Sequence, residues 1–309
     1  MALIDFLAAH VHYGMNHQNP VDIFPRADAA LLPTLLADLA RMREDLRTAR
    51  DVQSRLFPCR LPRIQGLDYY GACRPAQDVG GDFYDFVALP PQGLAVSVGD
   101  VSGHGLGAGI LMSGLQALLR GLTAHGRNHI GHIMRELNHA AWLASPDNFY
   151  ATLFYAYLDP LRRELQYVSA GHESALLIRH RGKARVHRLE STGTVLGLSD
   201  RTVYGHRTLP LEPGDLLIAY TDGITDARNA EGREFGERGL LDVVERNPDA
   251  RACDLAGEIM EAVDSYASYA SYAVPGEPAD DRTVVVARFK GAAEDSVFDP
   301  ARAMVLAAA

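Results

Sequence analysis

The succession of strand-like and helix-like stretches is what most restricts the folds open to this chain. Short apolar or alternating runs with strand character fall at Leu67–Cys73, Phe83–Leu89, Leu94–Val98, Ala151–Leu158, Glu164–Val168, Ala175–Ile178, Leu216–Tyr220 and Thr283–Phe289. Turn residues separate several of them, notably Pro90-Pro91-Gln92-Gly93, Asp159-Pro160 and Arg181-Gly182-Lys183. Helical periodicity covers Leu106–Leu122, Ile130–Ala144, Phe235–Val244 and Ala252 to Tyr266. Helices grouped in pairs between runs of strands therefore predict a layered α+β fold and argue against a doubly wound parallel sheet.

Upstream of the strands, Leu32, Leu35, Leu39, Met42, Leu46, Ala49, Gln53 and Leu56 recur at alternating steps of three and four. That is a heptad seam with one polar interruption, Gln53. Pro33 suits a first helical turn and Pro58 stops the helix. Two outcomes are open: a coiled-coil helix that pairs two copies of the chain through residues 31–57, or a helix whose stripe packs on its own domain. The expected organisation is an extension over 1–30, this linker helix over 31–57, a main domain over 58–290 and a short alanine-rich tail over 291–309. His10, His12 and His17 have no ligand-like spacing, and SYASYASYA at Ser265–Ala273 reads as a helix extension or a solvent-facing insertion.

A net charge of -9 disfavours a nucleic-acid or membrane-surface partner, because polyanionic surfaces select an excess of Lys and Arg. The three cysteines, Cys59, Cys73 and Cys253, form no CxxC pair and suggest neither a disulfide framework nor a thiolate zinc site. The apolar run at the N-terminus is broken by Asp5 and has no Lys or Arg before Arg26, which fits a signal peptide poorly. No uninterrupted apolar stretch approaches the ~20 residues that span a bilayer. A cytoplasmic setting is the expectation.

Four acidic motifs stand where strands end: VGGDFYD at Val79–Asp85, GDVSGHG at Gly99–Gly105, YTDG at Tyr220–Gly223, and DDRT at Asp280–Thr283. Three of them set Gly beside Asp, which permits sharp turns and close approach of backbone to an ion or phosphate. Asp100 and Asp222 terminate apolar strands, so their carboxylates project from a rigid edge. A single Asp-Gly pair is ordinarily a turn; four such motifs point to a site. Carboxylates without Cys or a compelling His partner make a hard, all-oxygen donor set, suited to Mg²⁺ or Mn²⁺ rather than zinc. Gathered without cations they repel one another. Two divalent ions remove that repulsion and activate water for attack near neutral pH.

Taken in order, VGGDFYD, GDVSGHG, Ala170-Gly171-His172, YTDG and DDRT resemble the motif series of bacterial metal-dependent Ser/Thr protein phosphatases of the PPM type (type 2C), in the SpoIIE/RsbU-like branch. The resemblance runs from about residue 51, through Leu56-Phe57-Pro58, to about residue 290. It implies a four-layer αββα sandwich, preceded by the N-terminal helix, with two Mn²⁺ or Mg²⁺ ions at one end. Carried over by motif, Asp100 bridges both ions with the Val101 carbonyl beside it, Asp82 serves the second ion, and Asp222 and Asp280 serve the first. Asp281 then lies behind the ligands, and Asp85 either orders a water or caps a turn. His104 is the nearest candidate to protonate the leaving alkoxide, or else it stabilises its loop. Arg74 is a phosphate-binding candidate or an ordinary strand-end arginine, and His172 is expected to make a structural hydrogen bond. AGHESALL carries no Asp, so a third ion lacks its usual ligand.

The implied reaction is hydrolysis of phosphoserine or phosphothreonine on a protein, with a phosphorylated STAS-type anti-sigma factor antagonist as the branch's common substrate. Two other readings compete. Gly80-Gly81-Asp82-Phe83 is similar to the GGDEF signature of diguanylate cyclases, but the other motifs have no place there. A catalytically silent binding module would be expected to lack ligand carboxylates, and all four are present.

Overall fold

The computed structural model describes residues 28–103, 105–124, 129–145, 149–179, 185–267 and 280–291. His104, residues 1–27 of the extension, most of the SYASYASYA repeat and the tail beyond Gly291 lie outside the described residues. The chain divides into two units, Met1–Thr48 and Ala49–Ala309.

Within the second unit the strands are β1 (Leu67–Arg74), β2 (Phe83–Leu89), β3 (Gly93–Val101), β4 (Ala151–Asp159), β5 (Glu164–Ala170), β6 (Ala175–Arg179), β7 (Arg185–Leu189), β8 (Arg207–Pro210), β9 (Leu216–Tyr220) and β10 (Arg282–Phe289). They form two five-stranded sheets, ordered β1-β10-β9-β6-β7 and β2-β3-β4-β5-β8. Every pairing between these strands is antiparallel.

Alternation along the strands sends side chains to two cores. In β3, Leu94, Val96 and Val98 face the opposite sheet, meeting Leu177, Leu217, Val285 and Phe289, while Ala95 and Val101 face a helix pair. That pair is α2 (Leu106–Ala124) and α3 (Ile130–Ala144). The opposite sheet is covered by α4 (Asp222–Thr225), α5 (Gly236–Arg246) and α6 (Ala252–Ala267), which bury Leu240, Leu255, Ile259 and Val263 against Leu176, Ile218, Val284 and Val286. The result is the expected α+β sandwich of four layers. By length and composition alone α2, interrupted by Gln116 and Arg120, passes as a membrane-span candidate. Here its stripe of Ala108, Met112, Leu115 and Leu119 is buried in the helix-covered core.

Sequence periodicity passed over β7, β8 and α4. The strand β7 (RVHRL) is mostly exposed and β8 (RTLP) ends on a proline, as befits short edge strands that carry no apolar alternation. The helix α1 (Asp28–Ser54) is 27 residues long and spans the boundary between the two units. Leu39 and Met42 of its seam are 46% and 58% exposed, whereas Gln53 is buried.

Candidate active site

One end of the sandwich gathers the acidic motifs, and strand pairing explains how. β2 and β3 are neighbours with Phe83 opposite Gly99, so Asp82, one residue before β2, continues that register opposite Asp100 at the rim of one sheet. In the other sheet β9 pairs with β10, Tyr220 opposite Val284, which brings YTDG beside DDRT. The Thr221 N–H donates to the Thr283 carbonyl at 3.1 Å. The two sheets are joined at this end through Asp82, whose Oδ2 accepts from Thr221 Oγ1 and from Thr283 Oγ1, each at 2.7 Å.

Asp281 builds the turn on which Asp82 stands. Its carboxylate accepts from the N–H groups of Ala76 at 2.7 Å, Gly81 at 2.6 Å and Asp82 at 3.3 Å. The glycines here are needed for close approach. A Cβ on Gly81 would lie 2.7 Å from the Val101 carbonyl oxygen, and one on Gly223 would lie 1.9 Å from that of Asp281. Asp222 opens α4, and Asp280 is exposed at the rim with its Oδ1 accepting from the Asp281 N–H at 2.8 Å.

Burial and mutual repulsion act together on these groups. Asp82 is held well above the usual carboxylate range by burial, then by Asp100 and Asp281, with the two threonine hydroxyls opposing. Burial followed by Asp222, Asp280 and Asp281 pushes Asp100 up to about 7. Asp222 is raised by burial, Asp280 and Asp226. Asp226 and Glu173 extend this acidic field; Glu173 is itself raised by burial and by Asp226. Among the described residues, no Lys or Arg contributes to the shifts of Asp82, Asp100 or Asp222.

The donor chemistry fits hard divalent cations: carboxylates, a backbone carbonyl, and a negative field that a dication would relieve. The carboxylates are not drawn into a ready-made cage, since no group of three or more potential Asp, Glu, His or Cys ligands is clustered tightly enough among the described residues.

The other predicted residues divide. The structure brings Asp82, Asp100, Val101, Asp222, Asp280 and Asp281 to one end, but not Asp85 or Arg74. Asp85 is buried against α2, where Arg120 grips both its oxygens (Nε to Oδ2 2.6 Å, Nη2 to Oδ1 2.7 Å) and the Phe86 N–H donates to Oδ1. The carboxylate is thus turned to the helix, and its Oδ1 accepts from the next residue's N–H. Arg74 bonds Asp264 of α6, as does Arg282 Nη1 at 2.6 Å, so its guanidinium is held on the helix side. His172 is buried, with Nδ1 2.7 Å from Thr152 Oγ1, and Thr152 stands opposite Asp100 in the β3–β4 ladder. Burial lowers His172 to about 4, the Tyr220 carbonyl opposing, so the ring is neutral near pH 7.

Sequence reasoning missed Thr221, Thr283, Arg120 and Gln53. Both threonines lie inside motifs read for their aspartates. Gln53 was visible only as an interruption of the heptad, yet its amide bonds both backbone groups of Gly80, donating to the carbonyl at 2.8 Å and accepting from the N–H at 3.1 Å.

Comparison with known proteins follows the same pattern. The family described as Stage II sporulation protein E (SpoIIE) matches residues 90–290. The chain is similar to Protein IcfG of Synechocystis sp., 32% identical over 235 residues, covering 68% of this chain and 37% of that protein. It is also similar to Phosphoserine phosphatase RsbU of Bacillus subtilis, 26% identical over 262 residues, covering 84% of this chain and 73% of that one. The chain therefore spans well under two thirds of IcfG and most of RsbU. Among solved structures it shares the fold of the SiaA-PP2C domain of Pseudomonas aeruginosa, with a TM-score of 0.68, 22% identity, and coverage of 82% of this chain and 99% of that one.

Proposed function

The chain belongs to the SpoIIE family, and from that membership together with the acidic end of the sandwich we propose that it hydrolyses phosphoserine or phosphothreonine esters on a protein substrate. The observation that carries this reading is Asp100, pushed up to about 7 by burial and by Asp222, Asp280 and Asp281 with no counter-cation among the described residues. Such a site attracts divalent metal and, once loaded, phosphate. The names of RsbU and RsbP, both phosphoserine phosphatases, support the same reaction.

In this proposal Asp82, Asp100 with the Val101 carbonyl beside it, Asp222 and Asp280 would together hold two Mn²⁺ or Mg²⁺ ions. Those ions supply activation of a water nucleophile and neutralisation of phosphoryl charge. Asp281 fixes the Gly81–Asp82 turn through three backbone N–H groups, so the ligand loop is set before substrate arrives. Neutral His172 holds Thr152 beside the end of β3 without adding charge.

The proposed substrate is a phosphorylated regulatory protein of the STAS type, in a cytoplasmic setting, and the exposed Leu39 and Met42 support homodimer formation through residues 31–57. A silent binding module is the weaker reading, because none of the four ligand carboxylates is missing. Release of phosphate from a phosphoserine peptide in the presence of Mn²⁺ tests the proposal. Activity is expected in the original chain and is expected to disappear in Asp100→Ala and Asp222→Ala; full activity in both variants would overturn the mechanism.

A further inference from the structure

The Asp82 carboxylate is oriented by two hydroxyls that come from separate motifs. Thr221 and Thr283 are 1% and 0% exposed, and both donate to the same oxygen, Oδ2, at 2.7 Å. The pair is rigid. Thr283 N–H donates to Thr221 Oγ1 at 3.0 Å, which fixes the Thr221 hydroxyl as acceptor from backbone and donor to Asp82. β-Branched side chains have little χ1 freedom. A hydroxyl has one proton to give, and a carboxylate oxygen has two lone-pair sites. With both sites of Oδ2 occupied, Oδ1 is the Asp82 oxygen left to bind a cation, and the side chain faces that of Asp100.

We propose that Thr221 and Thr283 are positioning residues that clamp Oδ2 of Asp82 and thereby present Oδ1 alone to a divalent cation shared with Asp100. The inference rests on the metal-dependent reading above and assigns a task to two residues outside the ligand set. Groups that orient a ligand in this way typically govern metal affinity by about 10- to 100-fold.

The test uses the full chain and Mn²⁺ alone, followed by calorimetric titration, with phosphate release as a second readout. Thr283→Val keeps the branched shape and removes the hydroxyl; Thr283→Ser keeps the hydroxyl. Thr283→Val is expected to weaken Mn²⁺ binding about 10-fold or more, and Thr283→Ser to stay within about threefold of the original. Thr221→Val is expected to weaken it at least as much, since it also removes the acceptor of the Thr283 N–H. If Thr283→Val does not fold, Thr283→Ala carries the same comparison. Unchanged Mn²⁺ affinity in a folded hydroxyl-free variant, or a loss that the serine variant shares, would overturn the clamp. An original chain that binds no Mn²⁺ would overturn the metal-dependent reading itself, which keeps the two failures distinct.

Discussion

Asp82 and Asp85 stand three residues apart in VGGDFYD and are 2% and 3% exposed, yet their surroundings are opposite. Asp85 turns toward α2, where the planar fork of Arg120 binds both oxygens. Asp82 turns to the end of the sandwich, where its carboxylate accepts from two threonine hydroxyls and its charged neighbours are Asp100 and Asp281. Burial of a carboxylate costs several kcal/mol unless something compensates. Arg120 compensates Asp85 within the chain. For Asp82 two neutral hydroxyls offset only part of the burial, and no Lys or Arg contributes to its shift, so the protein carries there an electrostatic demand that a cation can meet. Depth of burial does not separate a structural carboxylate from one proposed to bind metal; the missing counter-charge does.

The largest expected effect sharpens this contrast through pH. With Asp100 raised to about 7 in the folded metal-free protein, the folded state binds that proton more tightly than the unfolded chain does. Its contribution to stability is therefore full below the ordinary carboxylate value and is lost as pH rises through about 7, a change of up to ~4 kcal/mol. Mn²⁺ competes with that proton. The thermal shift on adding Mn²⁺ should be several degrees larger at pH 8 than at pH 5.5, as read by calorimetry. An equal shift at both values would break the link between the acidic end and metal.

A smaller effect is expected on the compensated side. Arg120→Met removes the fork but keeps a long side chain along α2, leaving Asp85 buried without its charge partner. Because the Arg120 side chain is 47% exposed, water recovers part of the loss, and destabilisation of about 2 kcal/mol is expected in urea unfolding. Mn²⁺ affinity should be unchanged. If Arg120→Met weakened Mn²⁺ binding as strongly as it lowered stability, the two carboxylates would belong to one network, and the distinction drawn here would fail.

The extent to which these features could be read beforehand follows from how local their causes are. Strand identities and the layered α+β arrangement were visible because β3 and β9 are apolar on both faces and turns lead into them. The acidic end was visible because each Asp sits in a motif where a strand terminates. What was hidden depends on contacts distant in sequence. Nothing near Asp85 announces Arg120, 35 positions away, and nothing near Asp82 announces Thr221 or Thr283, 139 and 201 positions away. Edge strands β7 and β8 were hidden because exposure on both faces removes the apolar alternation that marks a strand.

Gln53 offers the smallest test and the one that sets the two kinds of reading directly against each other. By heptad periodicity it is a flaw in an apolar seam, and Gln53→Leu should improve helix pairing. In the structure the side chain is buried and bridges both backbone groups of Gly80, two residues before Asp82. Leucine can make neither bond, and it would leave a buried N–H and carbonyl without partners in the turn that carries a ligand. Unfolding free energy should fall by about 1 to 2 kcal/mol. Mn²⁺ affinity should fall by no more than a few-fold, because Asp281 still holds Gly81 and Asp82 from the other side. A rise in stability accompanied by an increase in solution mass would show instead that position 53 belongs to the seam. A loss of stability at unchanged mass would place it with the site, as an outer support of the turn on which Asp82 is mounted.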